Sequence, residues 1–564
     1  MMKYQALLEV LTAEREKHPA QMALVVLKDD GTNLTFTHDQ LYRTAARLST
    51  WLEAAGIQAG DVVIMALPHG PELMTLFWAL TMLKAVPCIS HYPRVRGDQS
   101  NYVSRIQTVV GNTKARALLT LAQYQKPLYE SLSAQRCIFL GVEETPQLEK
   151  LPENKRLDFQ PGTNQNTAFL MHTSGTTGSQ KGVSFTQHQV LEQALILKEF
   201  YDIKAPDRIV HWLPLHHDLG IFLTFMLPLV ASIPVIVMSP SRWVARPGLL
   251  FQSIHEFGGT ISFMPNFAYN HCVRGITNRQ MENVRLDGLR VLVNTAEPIR
   301  SHSIASFYKR FSQYGLKKTA LKAGYGLTEA GPVTLDHLND GITVDRICLK
   351  EMQLHSRAQP VPPGETSAME VVSSGMPLSG MEMQIVAENN QPLPERSLGE
   401  ITLRSDTIFE GYYRRPDLTK RALRDGWFHT GDFGYMADGR LFICGRRQDI
   451  IIASGRNIYP EDLEDLSYQI PGIYPGRTVA FGIEDTQSGT EGVVLVCELR
   501  HQVTKQEKKR IEQELRKKIF NTFEVAPADI KLLDDKGWVI KTAGGKVARS
   551  ANREKYIKTF LDCE

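Results

Sequence analysis

The first hundred residues alternate between strand-like apolar runs and helical stretches, and this alternation constrains the fold more than any other feature. The run LTFT (34–37) ends at Thr37, which is placed to cap the helix that follows, with Gln40 in the capping-box position and Gly56 as the helix stop. The next segments read strand, helix and strand: DVVIMAL (61–67), PELMTLFWALTML (71–83) and AVPCIS (85–90). This βαβαβ order predicts a parallel sheet with helices on both faces.

The pattern changes twice further along the chain. From about Val372 to Gly445 it consists of short strands with Gly and Pro turns, including the hairpin YMADGRLFICG, which predicts a small β-rich subdomain. After Gly445 a compact α+β pattern takes over, and Thr504 with Glu507 caps a basic helix. The predicted fold class is therefore α/β, with parallel-sheet layers and the β-rich subdomain in residues 1–445 and a small α+β domain in residues 446–564.

Size, charge and cysteine content limit the possible classes of protein. A chain of 564 residues suggests at least two domains, and a net charge of +3 gives no overall field that calls for nucleic acid. The seven cysteines show no CxxC spacing, and the first twenty residues lack a signal peptide, so we expect a reducing, cytoplasmic location. The uncharged run 221–238 contains Pro228 and Pro234, which predicts a core helix followed by a strand and no integral membrane segment.

The stretch HTSGTTGSQKGV (172–183) surrounds one lysine with glycines and hydroxyls. It follows the apolar run NTAFLMHT (166–173), so it lies at the carboxyl end of a predicted buried strand, where α/β folds bind ligands. Glycines allow backbone N–H groups to approach an anion closely, which favours phosphate. The spacing is not that of the common P-loop, and the stretch taken alone is also compatible with a surface loop.

Five further stretches occur in a fixed order, and together they carry a family resemblance. They are WLPLHHDLG (212–220), NTAEP (294–298), GYGLTE (324–329), HTGD (429–432) with GRRQD (445–449), and KTAGGKVAR (541–549). With the phosphate loop, they resemble the adenylate-forming superfamily of acyl-CoA synthetases, peptide-synthetase adenylation domains and luciferases over almost the whole chain. The resemblance implies ATP as a substrate, Mg²⁺ as a cofactor, and a C-terminal domain that acts as a mobile lid.

Site residues follow from these motifs by resemblance and by side-chain chemistry. Tyr325 offers a flat face to a purine, Thr328 a hydroxyl to a phosphate, Glu329 a hard oxygen ligand to Mg²⁺, and Asp432 a pair of acceptors to a ribose. The resemblance implies catalytic roles for Lys546, Thr328, Glu329 and His217, and Gln448 as the hinge. It implies an ATP and AMP site formed by Thr173, Ser174, Gly175, Thr176, Thr177, Gly178, Lys181, Asn294, Ala296, Glu297, Gly324, Tyr325, Gly326, Thr328, Asp432 and Arg446.

The predicted chemistry follows from charge. A substrate carboxylate must attack the α-phosphate of ATP, and Lys181, Lys546 and Mg²⁺ on Glu329 would neutralise the crowded anions. The acyl adenylate that forms is sensitive to water, which gives a closing lid a purpose. The family usually has proline where this chain has Ile540, in the loop that carries Lys546.

Within the superfamily, three stretches closely resemble the fatty acyl-AMP ligases: PNFAYNHCVRGI (265–276), TAEPIR (295–300) and GRNIYPEDLE (455–464). So does the long segment 331–371, which in those enzymes packs on the main domain and restrains the lid, although a loose surface loop is the alternative. The resemblance implies a fatty acid substrate, with Phe263, Met264 and Asn266 as acyl-pocket candidates. It also implies an acyl carrier protein in trans that accepts the acyl group on its phosphopantetheine arm.

Three other functions remain open at this stage. An acyl-CoA synthetase would form a thioester with free CoA, and an aryl- or aminoacyl-adenylating enzyme would accept different acids. A non-catalytic ATP- or acyl-binding regulator would have little use for both Lys546 and Glu329.

Overall fold

The computed structural model describes residues 4–92, 99–132, 137–144, 150–153, 166–173, 181–362, 368–453, 456–485, 490–542 and 545–561. Its strands form two large sheets that are mostly parallel, a smaller antiparallel sheet, and a C-terminal sheet. Helices cover the large sheets, so the predicted α/β class with parallel-sheet layers is confirmed.

The larger sheet has nine strands among the described residues, in the order β17-β14-β13-β12-β11-β9-β10-β1-β2. Its central strands are parallel, whereas β2, β14 and β17 join antiparallel. The strands are β1 Met22–Leu27, β2 Asn33–Thr37, β9 Ile209–His211, β10 Val235–Met238, β11 Ile261–Met264, β12 Val291–Asn294, β13 Leu321–Leu327, β14 Gly331–Leu335 and β17 Met376–Pro377.

The second sheet has six strands in the described part of the chain, in the order β6-β5-β3-β4-β7-β8. Only β8 is antiparallel to its neighbour. The strands are β3 Val62–Ala66, β4 Val86–Ile89, β5 Ala117–Thr120, β6 Ile138–Gly141, β7 Thr167–His172 and β8 Gly182–Thr186.

The remaining strands form smaller units. An antiparallel sheet contains β18 Glu382–Val386, β19 Gly399–Arg404, β20 Leu423–Arg424, β21 Trp427–Ala437 and β22 Arg440–Arg446, and β15 Val344–Cys348 pairs with β16 Ala368–Val372. Beyond residue 450, β23 Ile451–Ala453 pairs with β24 Arg456–Ile458, and a last sheet contains β25 Ile473–Asp485, β26 Thr490–Leu499 and β27 Asp529–Leu533.

The helices connect these strands along the chain. They are α1 Leu7–Lys17, α2 His38–Ala54, α3 Pro71–Met82, α4 Gln99–Thr113, α5 Ala122–Leu132, α6 Gln187–Phe200, α7 Asp218–Ile221, α8 Leu227–Ala231, α9 Pro240–Ala245, α10 Gly248–Phe257, α11 Asn266–Gly275, α12 Ser301–Phe311, α13 Leu349–His355, α14 Pro416–Ala422, α15 Pro460–Ser467, α16 Lys505–Phe523 and α17 Arg549–Tyr556.

One sequence expectation about the first hundred residues is wrong in its connectivity. The βαβαβ order suggested a single parallel sheet that includes LTFT (34–37), but this run is β2, which pairs antiparallel with β1. The chain then leaves through α2, and β3 starts the other large sheet. Local periodicity identifies each strand, but the choice of sheet depends on packing between distant segments.

Aromatic packing joins the two large sheets. Helix α3 is buried along almost its whole length, and the rings of Phe77 and Trp78 lie 5.2 and 5.3 Å from that of Phe225. Phe225 belongs to a π-helical turn, Phe222–Met226, which follows α7. On the other side Phe77 contacts Phe169 of β7 at 6.3 Å between ring centroids. The helix and the π-helical turn therefore hold the two sheets in one core.

The uncharged run 221–238 folds as predicted, into helical turns that end at Ala231 and the strand β10. A left-handed Ser232 terminates the helix. Within the described residues, no helix combines the length and the apolar character needed to cross a bilayer.

The residues after 450 have hydrophobic cores of their own. One cluster buries side chains between Ile451 and Ile530, and a second buries side chains between Val479 and Tyr556. From the preceding part of the chain, Leu349 of α13 packs against the first of these clusters.

The predicted capping box of α2 is present and supports a stability test. The Thr37 hydroxyl accepts the N–H of Gln40 at 3.2 Å, and the Gln40 side chain accepts the N–H of Thr37 at 2.9 Å. We expect Thr37→Ala to lower the free energy of unfolding by about 1 kcal/mol, because helix N–H groups lose their acceptor. Urea unfolding followed by circular dichroism measures the shift. Thr35→Ala, on an exposed position of β2, is the control, and an equal shift in both variants would contradict the capping role.

Candidate active site

Thr173 and Lys181 are the described ends of the Gly/Ser/Thr-rich stretch, and they lie side by side. The N–H of Thr173 donates to the Lys181 carbonyl at 3.0 Å, and the N–H of Lys181 donates to the Thr173 hydroxyl at 3.3 Å. Both residues therefore stand at the same edge of the six-stranded sheet. The other predicted phosphate-binding residues lie outside the described residues: Ser174, Gly175, Thr176, Thr177 and Gly178.

Tyr412 connects Lys181 to Glu329. The Lys181 ammonium lies 4.6 Å from the centre of the Tyr412 ring, and the Tyr412 hydroxyl donates to Glu329 Oε1 at 2.8 Å. Burial raises the pKa of Glu329, while the Tyr412 hydrogen bond and the charges of Lys181 and Arg446 act in the opposite direction. A cation and a carboxylate from distant motifs thus lie close together, through a tyrosine that the sequence motifs did not identify.

A second group consists of Tyr325, Asp432 and Arg446. The Tyr325 hydroxyl donates to Asp432 Oδ2 at 2.5 Å, and Arg446 Nε lies 3.3 Å from Asp432 Oδ1. Asp432 and Arg446 face each other in the β21–β22 register, so the hairpin fixes their spacing. Burial and the neighbouring Asp432 raise the pKa of Tyr325, which keeps its hydroxyl protonated as a donor.

Close packing between β13 and β14 explains the two glycines of GYGLTE. A Cβ at Gly326 would lie 2.6 Å from the Gly331 carbonyl oxygen, across the antiparallel β13–β14 pair, and a Cβ at Gly324 would meet Leu335 at 2.5 Å. These glycines let β14 fold closely against β13. Thr328 follows β13 and is half-buried, next to Glu329.

The carboxyl ends of β11 and β12 place the NTAEP motif beside the acyl-pocket candidates. Met264 and Asn294 are register partners, and Asn294 Nδ2 donates to Asn266 Oδ1 at 3.1 Å. Asn294 is fully buried, and its own Oδ1 has no hydrogen-bond partner among the described residues. Phe263 and Met264 are also fully buried. Whether these side chains contact an acyl chain stays a prediction.

Two further residues of this motif shape the turn after β12. Ala296 has a left-handed backbone with φ of 69°, and Glu297 accepts the N–H of Phe267 at 2.9 Å. Burial raises the pKa of Glu297, and the charges of Lys546 and Lys541 lower it. The C-terminal lysines therefore act electrostatically on this turn.

The loop that carries Lys546 reaches the same region. Its ends are tied by a 2.7 Å hydrogen bond from the Thr542 N–H to the Lys546 carbonyl. The Lys546 ammonium lowers the pKa of His217 as well as that of Glu297. The N–H of Ile540 donates to Asn552 Oδ1 at 2.8 Å, a bond that proline at this position would lack. The C-terminal part is thus folded over the strand ends.

Arg300 links the larger part of the chain to helix α15. Its guanidinium donates to Asp462 Oδ1 and to the Glu461 carbonyl, both at 3.1 Å. Burial raises the pKa of Asp462 to about 6 although Arg300 opposes that shift. Gln448 is exposed on the short 3₁₀ turn Arg447–Asp449, which precedes α15 in the sequence. The sequence motifs included Arg300 only as part of TAEPIR and assigned it no role.

Histidines surround the junction of the two large sheets. His217 occupies the N-cap position of α7 without a side-chain capping bond, and its backbone N–H donates to the Pro214 carbonyl at 3.2 Å. A Cβ at Gly220 would lie 2.2 Å from that same carbonyl oxygen, so glycine permits the tight turn. Burial lowers the pKa of His91 to about 3 and the pKa values of His69, His172 and His217 to about 4. These imidazoles are neutral at pH 7, and His217 is the only one of the four that the sequence predicted as a site residue.

Comparisons with known proteins agree with this arrangement. Residues 11–413 match the sequence model of a family described as AMP-binding enzyme. The chain is 30% identical over 478 residues to the medium-chain-fatty-acid acyl-carrier-protein ligase JamA of Moorena producens, covering 81% of this chain and 79% of that protein. It is 27% identical over 588 aligned positions to a 4-hydroxyphenylalkanoate adenylyltransferase of Mycobacterium tuberculosis, covering 99% and 92%. A solved structure from a study of fatty acyl-adenylate ligases of E. coli and L. pneumophila has a TM-score of 0.89 at 23% identity, with both chains covered fully.

The contact between Arg300 and α15 predicts how firmly the C-terminal part is held. In Arg300→Gln the buried Asp462 loses its charged partner, at a cost of about 2 kcal/mol, so amide exchange in α15 should become roughly thirtyfold faster. Hydrogen exchange followed by mass spectrometry measures this. Arg285→Gln, which breaks an exposed ion pair with Asp287, serves as the control. Equal protection of the α15 amides from exchange in the native protein, Arg300→Gln and Arg285→Gln would show that Arg300 does not hold the helix.

Proposed function

Because the chain belongs to the AMP-binding enzyme family, we propose that it activates a fatty acid with ATP to acyl-AMP, releases pyrophosphate, and transfers the acyl group to the phosphopantetheine thiol of an acyl carrier protein in trans. The observation that carries the proposal is the position of Lys546, whose charge acts on both His217 and Glu297. In this proposal the C-terminal lid lies over the strand ends, an arrangement suited to adenylate formation.

The residues that meet at these strand ends fit the charge requirements of the reaction. A carboxylate oxygen of the acid forms a bond to the α-phosphorus, and the bond from that phosphorus to the bridging oxygen of the β-phosphate breaks. Lys181 and Lys546 supply positive charge to a step in which anions approach one another. The pyrophosphate leaves with the electron pair, so the step requires no proton transfer and no protein nucleophile.

Asp432 is the candidate ligand for the ribose. Its carboxylate is already held by Tyr325 and Arg446 at 2.5 and 3.3 Å, so it is oriented before a nucleotide binds. The family role of Asn294, Ala296 and Glu297 at the adenine edge is consistent with their place at the end of β12 and directly after it. These assignments concern binding of parts of ATP that do not react.

Glu329 is the candidate Mg²⁺ ligand. The donor set fits this ion, because Glu329 offers a carboxylate and Thr328 a hydroxyl, both hard oxygen donors. A bound Mg²⁺ would neutralise phosphate charge. Tyr412 holds one carboxylate oxygen of Glu329 and so orients the group.

Transfer to a carrier protein is supported by the contacts of the described residues of segment 331–371, which are 331–362 and 368–371. Lys322 of β13 is fully buried, and its ammonium donates to the carbonyls of His337, Leu338 and Asp340 at 2.6–2.7 Å. Arg440 of β22 pairs with Asp336 at 3.0 Å and with Asp340 at 2.6 Å. A buried lysine that donates to three carbonyls is costly to release. These contacts argue against a loose surface loop.

The same segment reaches the lid. Its buried side chains Ile347 and Met352 share a hydrophobic cluster with Tyr435 of β21 and with Tyr459, which precedes α15. Leu349 packs against the core of the C-terminal part. The segment thus supports the lid in its present position and opposes the rotation that a CoA-dependent thioester step would need. We take residues 446–564 as the lid domain and Gln448 as its hinge on this basis.

The first test concerns adenylate formation. Lys546→Ala should lower the rate of ATP–pyrophosphate exchange with a medium- or long-chain fatty acid by a factor on the order of 10²–10³, because its charge acts on the transferring phosphate. Lys536→Ala removes an exposed lysine from the same domain and should change little. Exchange at the parental rate in Lys546→Ala would refute the role of this lysine.

The second test concerns the acceptor. With fatty acid, ATP, Mg²⁺ and CoA, the native enzyme should accumulate acyl-AMP and discharge it only when a phosphopantetheinylated carrier protein is added. A bias of about 2–3 kcal/mol would leave the thioester-forming arrangement at roughly one per cent. Mass spectrometry of the products measures this. Rapid acyl-CoA formation by the native enzyme would instead identify an acyl-CoA synthetase.

A point variant locates the restraint. Leu349→Ser should weaken the contact of segment 331–371 with the lid and raise the acyl-CoA fraction. Leu354→Ser, on an exposed position of the same helix α13, is the matched control. An unchanged product ratio in Leu349→Ser would show that this contact does not restrain the lid.

A further inference from the structure

Three histidines from two sheets converge beside the proposed adenylation site. His91 follows β4 of the six-stranded sheet, and His216 and His217 lie between β9 of the nine-stranded sheet and α7. Their ring centroids lie 3.8 Å apart for His91 and His216, 4.5 Å for His216 and His217, and 5.7 Å for His91 and His217. One ring nitrogen from each lies within 4.8 Å of those of the other two. The name histidine cluster refers to these three residues.

The proposed adenylation reaction does not explain why these three histidines lie together. Only His217 is a predicted catalytic residue, whereas His216, in the same motif, and His91 have no assigned role. The Nε2 atoms of His91 and His217 are buried without a hydrogen-bond partner among the residues that the structure describes. Buried polar atoms without a partner are costly, so two such atoms that meet in one cluster indicate a missing ligand.

The chemistry of the cluster selects the kind of ligand. Neutral imidazole is a strong ligand for divalent transition metals and a poor one for Mg²⁺, which prefers oxygen. Three imidazoles with an open fourth position match the coordination that Zn²⁺ adopts at sites accessible to small molecules. Ligand nitrogens around a four-coordinate Zn²⁺ lie roughly 3.4 Å apart, so modest ring rotations would close the observed separations.

The charged groups near the histidine cluster have opposite effects on a bound cation. Asp218 lies next to His217 and favours a cation, whereas Lys546 and Arg105 oppose one through their effects on His217 and His91. Lys546 is on the mobile lid of the proposed enzyme. A metal ion and the lid lysine would therefore repel each other across His217.

We propose that His91, His216 and His217 form a binding site for a divalent transition-metal ion, best matched by Zn²⁺. The effect of that ion rests on the proposed function: a bound ion occupies His217 and repels Lys546, so it inhibits adenylate formation. The site is separate from the Mg²⁺ ligand Glu329, which has oxygen donors and lies after β13.

Binding is tested on the full chain after treatment with a chelator. Co²⁺ serves as the probe, because its visible absorption reports coordination by nitrogen ligands. A single ion should bind with a four-coordinate spectrum, and an excess of Zn²⁺ should displace it. His91→Gln and His216→Gln should each weaken binding at least roughly tenfold. The control variant His255→Gln lacks an exposed histidine at the end of α10, and it should bind Co²⁺ as tightly as the native protein does.

Thermal unfolding of each variant checks that the fold is retained, and the second variant provides an independent measurement if one fails to fold. Absence of a saturable Co²⁺ site, or equal affinity in the native protein and both cluster variants, would overturn the proposal. The titration uses only metal and protein, so its result stands even if the chain proves inactive with fatty acids.

The inhibitory effect is measured separately, by ATP–pyrophosphate exchange with Mg²⁺ and increasing Zn²⁺. Each variant is compared with its own rate without zinc. Zinc should inhibit the native enzyme at concentrations that leave His91→Gln largely active. Equal inhibition of both proteins would show that zinc acts elsewhere, and binding without inhibition would refute the link to Lys546.

Discussion

Packing of aromatic side chains between the two large sheets is the interaction on which the site depends. Phe77 and Trp78 of α3 meet Phe225 on one side, and Phe77 meets Phe169 of β7 on the other. Phe222, in the same π-helical turn as Phe225, also contacts Phe169 with ring centroids 5.6 Å apart. Strand β7 ends at His172, directly before Thr173, and the π-helical turn follows His217 and α7. The hydrophobic core therefore sets the distance between the phosphate-loop ends and the histidine motif, and neither motif could be placed without it.

Local sequence signals were sufficient for most elements but not for their assembly. Thr37 and Gln40 act within one helical turn, so their capping box was predictable, as was the strand β10 after the helical run. The assignment of β2 failed because its local pattern identifies a strand but not the partner of that strand, which is β1 in the nine-stranded sheet, whereas β3 belongs to the six-stranded sheet. Sheet membership is decided by long-range pairing, which a local pattern does not encode.

In the candidate site, too, the local motifs were predictable from the sequence, whereas the contacts between distant residues were not. The residues of GYGLTE and HTGD were found by side-chain type and spacing, and the structure brings Tyr325 to Asp432 and Lys181 to the neighbourhood of Glu329. Tyr412 and His91 carried no recognisable signal, and Arg300 belonged to TAEPIR without an assigned role. Each contributes through a partner more than 80 residues away, so its role exists only in the folded chain. Of the predicted phosphate-binding residues, only Thr173 and Lys181 fall within the described residues.

Lys322 has a consequence for the exchange of parts between related enzymes. It lies on β13, three positions before Tyr325, while its ammonium holds the carbonyls of His337, Leu338 and Asp340. The strand that carries most of the GYGLTE motif is thus also an anchor of segment 331–371. Consider a related enzyme that receives this segment but has no lysine equivalent to Lys322 and no arginine equivalent to Arg440. In such a chimera the three carbonyls would lose their donor, and Asp336 and Asp340 would lose their ion pairs with the arginine. The transferable unit is therefore larger than the segment itself and has to include β13 and β22.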